Sequence, residues 1–290
     1  MPSLRAAVGT YPVTEALKSG AVGSTLLRFD FADIPIISRA FAPMVRELRY
    51  DVSEMAIATF LQARAVGVPL VLLPVVMAAR FQQSALLCRQ DSSIRSPLDL
   101  AGRRVGVRAY SQTTGMWLRG IIAEEGGPRP EEIRWITFED AHVAGVQDPP
   151  WAERAGSGQD MLAMLKAGTL DAVIVGNDVP NDPALRTVWA DPVAAAEAFW
   201  QRHHIVPVNH MVVVRRSLLE GHPGLAKELM RLFALSAASA QPGLRGASPM
   251  GRHALKPVMT LALRYMDEQA MLPHRLTLED VWEDLLEDVA

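Results

Sequence analysis

Short apolar runs of strand length, each followed by a helix-forming stretch, recur along this chain. "LRAAVGTY" reads as a buried strand that turns into a helix over residues 10–17, ending near Gly20, and "STLLRFDF" reads as a second strand. The strand "LVLLPVV" follows a helix that stops at Gly67. After "SALLCR" the alternation restarts with a Pro-initiated turn in "SPLDLAG", the strand "RRVGV" and the helix "SQTTGMWLRGIIAEEGG" closed by glycines. "IRWITF", the helix "QDMLAMLKAG" ending at Gly168 and the buried strand "LDAVIVG" complete that second set. "DPVAAAEAFWQRH" opens with an Asp–Pro pair suited to a helix start, and the strand "HMVVVRR" and a helix near 223–235 follow. Strands alternating with helices at this spacing call for parallel βαβ units with right-handed crossovers. Two sets in succession predict an α/β chain with two lobes.

The remaining bulk properties narrow the class. A chain of 290 residues, 49% apolar, can bury a substantial core as one large or two modest domains. The net charge of −3 and the scattered basic residues exclude attraction to nucleic acid by the overall field. The single cysteine, Cys88, rules out an internal disulfide and a cysteine-based zinc site, and its apolar surroundings predict a small buried side chain. The longest apolar stretch, "VGVPLVLLPVVMAA", is interrupted by Pro69 and Pro74 and is too short to insert in a membrane. "MPSLRAAVGTY" has neither a basic n-region nor a long apolar core, so a cytoplasmic protein is expected, or a periplasmic one if a leader has been removed.

"YDVSEM" raises a sharper question. Taken locally, Asp51 is the N-cap of a helix running to Gly67 and Glu54 is its third residue, an Asp version of the capping box. The alternative is that Asp51 caps while Glu54 faces a ligand. At the other end, "TLEDVWEDLLEDV" places Leu278, Val281, Trp282, Leu285 and Val289 on one helical face, open to a lobe or to a second copy in a homo-oligomer. Its acidic residues form the opposite, solvated face.

The run "I94-R-S-P-L-D-L-A-G-R-R-V-G-V107" followed by "M164-L-K-A-G-T-L-D-A-V-I-V175" resembles the second lobe of type II periplasmic-binding-protein folds. Together with "T14-E-A-L17", "Y50-D-V-S-E-M55", "W117-L-R-G-I121", "H210-M-V-V-V-R-R216", "R264-Y-M-D-E-Q269" and "R275-L-T-L-E-D280", it is similar in order to the 4,5-dihydroxyphthalate decarboxylases. That resemblance implies a two-lobed periplasmic-binding-protein-like (type II) fold with a ligand cleft between the lobes. The first lobe would take residues 1–87 and 206–290, and the second 88–205. It also implies a carboxy-lyase of aromatic-compound catabolism acting on a small hydroxylated aromatic carboxylate. The chain departs from the family at "A109-Y-S-Q-T113", which lacks a carboxylate, at "G176-N-D-V-P180", and at Gln83, where a histidine is expected. Such changes keep open the alternative of a solute-binding protein that captures a small carboxylate for a transporter or sensor.

In a two-lobed α/β fold, ligands lie at the carboxyl ends of the strands. The candidates there are Thr10, Tyr11, Ser53, Arg80, Tyr110, Ser111, Gln112, Thr113, Asn177, Asp178 and Asn209 for substrate binding. Arg80 and the helix start near Ser111 suit a carboxylate. Glu54 and His210 are the expected acid/base pair. No organic cofactor is expected; a divalent metal at His210 and Glu54 is the lesser alternative, since no HExxH-like spacing supports it.

Overall fold

The computed structural model describes residues 2–177, 179–241 and 249–285. The chain begins with β1 (Ser3–Ala7), α1 (Pro12–Lys18), β2 (Arg28–Phe31), α2 (Phe41–Glu47), β3 (Val52–Ala56), α3 (Ile57–Ala65) and β4 (Leu70–Ala79). It continues through β5 (Leu86–Arg89), β6 (Arg104–Val107), α4 (Thr113–Glu124), β7 (Arg134–Thr137), β8 (Ala152–Arg154), α5 (Met161–Lys166), β9 (Ala172–Ile174), β10 (Leu185–Thr187) and α6 (Pro192–His203). It returns through β11 (Val208–Arg215) and closes with α7 (Arg216–Gly221), α8 (Leu225–Ala238), α9 (Arg252–Glu268) and α10 (Leu278–Trp282).

Two sheets result. The first has the order β2-β1-β3-β11-β4, and the second β10-β5-β9-β6-β7-β8. β1 runs parallel to β2 and β3, and β6 runs parallel to β7 and β9, as the βαβ pattern requires. β11 enters the first sheet antiparallel to both neighbours. This is a two-lobed α/β architecture. None of its described helices is long and apolar enough to cross a membrane.

Several helix starts follow directly from sequence. The Asp191 carboxylate accepts from the Val193 and Ala194 N–H groups at 3.0 and 2.9 Å and fixes the Pro192 start of α6. Asp160 caps α5 by accepting from the Ala163 N–H at 2.7 Å, and Gly168 closes that turn with φ +76°. Cys88 is buried on β5, as its neighbours predict.

"YDVSEM" forms something else. Val52–Ala56 is strand β3, and the helix begins only at Ile57. Asp51 does not cap it: its carboxylate accepts from the Arg5 N–H at 2.8 Å and pairs with Arg215. The reason is non-local. β3 pairs with β1 on one side and β11 on the other, and all five of its residues are buried, so it lacks the alternation that would mark a strand.

The C-terminal apolar face packs onto the chain itself. Val281, Trp282 and Leu285 are buried, and Val289 lies outside the described residues. Its acidic neighbours are not merely solvated, since Arg64 pairs with Glu283 and Asp284, and Arg216 donates to Asp284 at 2.7 Å.

Pro74 leaves its mark on the first sheet. β11 matches β3 in even register from His210 opposite Ala56 to Val214 opposite Val52. Against β4 the register shifts: Val212 faces Leu73 but Met211 faces Val76, so Pro74 and Val75 are bulged out. Proline has no N–H to give the ladder. Its carbonyl instead accepts from the Gly251 N–H at 2.9 Å, and Val75 bridges to Met250.

Candidate active site

The strand ends of both sheets meet at a cleft of about 690 Å³. One wall carries Tyr11 from the β1–α1 turn, Phe41 from α2, Thr59 from α3 and His210 from β11. The facing wall carries Arg108, His142 and Asn177. Ser111, Gln112, Thr113 and Thr114 supply the start of α4, and Arg80 follows β4.

His210 and Glu54 are diagonal neighbours on adjacent antiparallel strands, because His210 stands opposite Ala56 and Glu54 opposite Val212. The His210 Nδ1 lies 2.7 Å from Glu54 Oε1. Tyr11 donates its hydroxyl to the same oxygen at 3.0 Å, and the Gly9 N–H donates to Oε2 at 3.0 Å. Glu54 is fully buried and does not line the cleft. Its carboxylate sits behind Tyr11 and His210 and reaches the cleft through them. Burial, then the Glu54 charge and the hydrogen bond to it, raise the Tyr11 phenol above its ordinary value, so Tyr11 stays a donor.

The turn that presents Tyr11 is locked locally. Thr14 Oγ1 accepts from the Tyr11 N–H at 2.9 Å and donates to the Gly9 carbonyl at 2.8 Å. Position 9 must be glycine for this packing, since a Cβ there would stand 2.4 Å from Tyr11 Cζ.

Arg80 is half-buried, and Nη2 donates to Thr114 Oγ1 at 3.0 Å. Among the described residues no carboxylate pairs with it. Burial lowers its guanidinium from the ordinary value. It lies beside the first turn of α4, where the N-cap Gln112 makes no side-chain cap bond. A guanidinium and open helix N–H groups side by side can hold an anionic oxygen pair. Arg108 is different, because it is paired with Glu139.

Tyr11, Arg80, Ser111, Gln112, Thr113 and Asn177, which follow strands, share one cleft with Asn209 and His210 near the start of β11. Asn209 is held by Gln82, whose Nε2 donates to Asn209 Oδ1 at 2.7 Å. Others fall elsewhere. Thr10 is exposed and accepts from Lys18 Nζ at 2.8 Å. Ser53 is buried within β3 and donates to the Glu54 carbonyl at 2.8 Å. Tyr110 points into the core: it donates to the Gln269 carbonyl, accepts from Trp151 Nε1, and stacks under the buried Arg119 guanidinium at 3.9 Å. Asp178 lies outside the described residues.

Thr59, Phe41 and His142 line the cleft without any local sequence signal. Thr59 sits inside a helix that is buried almost throughout, and His142 lies in a β7–β8 connection with no periodicity. Only the meeting of the two lobes brings them together. Among the described residues, no three His, Cys, Asp or Glu side chains are grouped to hold a metal ion.

A family model described as NMT1/THI5 like matches residues 43–148. A 4,5-dihydroxyphthalate decarboxylase of Comamonas testosteroni is 29% identical over 266 residues, covering 85% of this chain and 74% of that protein. Among solved structures, the alkanesulfonate-binding protein SsuA of Xanthomonas axonopodis pv. citri superposes with a TM-score of 0.57 at 12% identity, covering 97% of this chain and 96% of its own. The desulfurization enzyme DSZB superposes with a TM-score of 0.51 at 13% identity, covering 100% of this chain and 97% of its own. A binding protein and an enzyme on one scaffold establish the fold and leave the activity to the site. The chain is thus similar in sequence to the 4,5-dihydroxyphthalate decarboxylases over most of its length and shares its fold with the periplasmic sulfonate-binding proteins.

Proposed function

We propose that the protein is a carboxy-lyase that removes CO2 from a small hydroxylated aromatic diacid, similar to the 4,5-dihydroxyphthalate named for its relatives. The observation that carries this reading is one cleft holding both an Arg80 with no carboxylate partner among the described residues and a His210 backed by the buried Glu54.

The chemistry needs three things from the chain. Arg80 and the first N–H groups of α4 anchor a carboxylate. A firm clamp on the departing group would favour the bound substrate over the transition state, so this anchor suits the carboxylate that stays. His210, as imidazolium, delivers a proton from Nε2 to the ring carbon bearing the other carboxylate. The electron pair for the new C–H bond comes from the ring, supported by a ring hydroxyl. Breaking the C–CO2 bond returns a pair to the ring and restores aromaticity. His210, left neutral, regains a proton from water. Glu54 orients the imidazole and stabilises its charged form, and Tyr11 and Gly9 hold Glu54 in place. In this reading the first lobe is formed by residues 1–87 and 206–290 and the second by 88–205, a boundary that falls within β5 of the second sheet.

A second reading, capture of a small carboxylate without turnover, is favoured by the Arg80–α4 clamp, which is complete without His210. Incubation with a panel of hydroxybenzoates and hydroxyphthalates separates the two. CO2 release from a hydroxyphthalate with the matching hydroxybenzoate as product is expected; thermal stabilisation without CO2 across the panel would replace the lyase by the binder.

A further inference from the structure

His142 is the second imidazole in the cleft, and it is built differently from His210. Its Nδ1 lies 3.0 Å from Thr59 Oγ1, a neutral hydroxyl, whereas His210 is backed by a carboxylate. Burial is the main cause that pulls its pKa down to about 4, with Arg108 and Arg46 adding to the effect and Glu139 opposing it. A neutral imidazole can accept a hydrogen bond but gives no charge attraction to a carboxylate. Among the described residues its Nε2 has no hydrogen-bond partner, and the ring lines the cleft.

The placement of the ring is over-determined. Phe41 meets both imidazoles edge to face, with centroids 5.8 Å from His142 and 5.1 Å from His210. Arg46, on α2 of the first sheet's layer, donates to the carbonyls of His142 at 2.7 Å and Ala141 at 2.9 Å. A residue from the β7–β8 connection is thus held against three groups of the opposite lobe. The two imidazoles thus face one cleft with different partners behind them, a hydroxyl for His142 and a carboxylate for His210.

We infer that His142 reads a ring hydroxyl of the ligand by accepting its hydrogen bond at Nε2, in the tautomer whose Nδ1–H donates to Thr59 Oγ1. The identity of the ring rests on the decarboxylase-like reading above, but hydroxyl discrimination does not depend on turnover. His142 is therefore the specificity residue for the hydroxylated edge, while His210 handles the proton to carbon.

Calorimetric titration with phthalate and with 4,5-dihydroxyphthalate tests this on the full chain. The wild type is expected to bind the dihydroxy acid at least tenfold more tightly. His142→Ala should bring that ratio close to one with phthalate affinity unchanged within about twofold, and His142→Gln should restore part of it. Thr59→Val keeps the imidazole and removes only its partner, so a reduced ratio in that folded variant supports the inference even where His142→Ala is unstable. An unchanged ratio in His142→Ala, an equal loss for both acids, or no discrimination by the wild type overturns it. Discrimination without CO2 release leaves the inference standing and removes the lyase reading; failure of both acids to bind removes both.

Discussion

His210 Nδ1 stands 2.7 Å from Glu54 Oε1 across the β11–β3 pair, and the carboxylate is sealed from solvent by the groups that hydrogen-bond to it. An imidazole aimed by a buried carboxylate is the arrangement expected of a group that must carry a proton in a fixed direction.

Glu54→Gln tests that arrangement with little change of shape. The amide gains an NH2 that must face either the Gly9 N–H or the pair formed by Tyr11 and His210, so one buried donor loses its acceptor. CO2 release is expected to fall roughly 10²- to 10⁴-fold. Stability should fall by about 1–3 kcal/mol from the unsatisfied group. Ligand affinity through Arg80 should stay within a few-fold, which calorimetry on the same variant checks.

Arg80→Met removes the anchor and keeps most of the side-chain volume. Charge-assisted hydrogen bonds contribute about 1.5–3 kcal/mol, so ligand affinity is expected to drop by roughly 10- to 150-fold. Arg80→Lys should recover only part of it, because an ammonium cannot reproduce the planar fork. Equal affinity in all three proteins would place the anchor elsewhere.

Gly9→Ala puts a Cβ 2.4 Å from Tyr11 Cζ and 2.5 Å from its hydroxyl oxygen, so the ring must move away from Glu54. A stability loss of about 1–3 kcal/mol is expected from the overpacking. Adding Tyr11→Ala should relieve the clash, so the two substitutions will be strongly non-additive in denaturant unfolding. Turnover stays low in the double variant, since the donor to Glu54 is gone.

The pH dependence of stability should carry the signature of His142. Its pKa is lowered in the folded chain from 6.5 to about 4, so the unfolded chain binds more protons between those values. Stability from this group is complete above about pH 6.5 and is lost as the pH falls toward 4. His142→Gln should flatten the curve over that window, as measured by urea unfolding at a series of pH values.

Much of the scaffold is legible locally. The apolar run at Leu70–Ala79, the glycine-closed helix α4, the Asp-capped α5 and α6 and the strand at Val208–Arg215 all carry their own punctuation. Strand β3 is where local reading fails, because Asp51 and Glu54 mimic a cap while their real partners are Arg5, Arg215, Gly9, Tyr11 and His210. Tyr110 misleads in a related way. It follows a strand as a ligand contact would, but the buried Arg119 and the distant Gln269 draw it inward. His142 gives no local sign at all, since its role depends on Thr59, Phe41 and Arg46 from the other lobe.

The bulge at Pro74 separates two adjustments that a regular sheet would couple. β3 keys His210 to Glu54 residue by residue, while β4, which Arg80 directly follows, slips past β11. Changes in the length or packing of β4 can therefore move the anchor relative to the imidazole without disturbing the carboxylate behind it. If the proposed roles hold, a scaffold of this kind can be retuned to a longer or shorter acid while the His210–Glu54 pair stays in place.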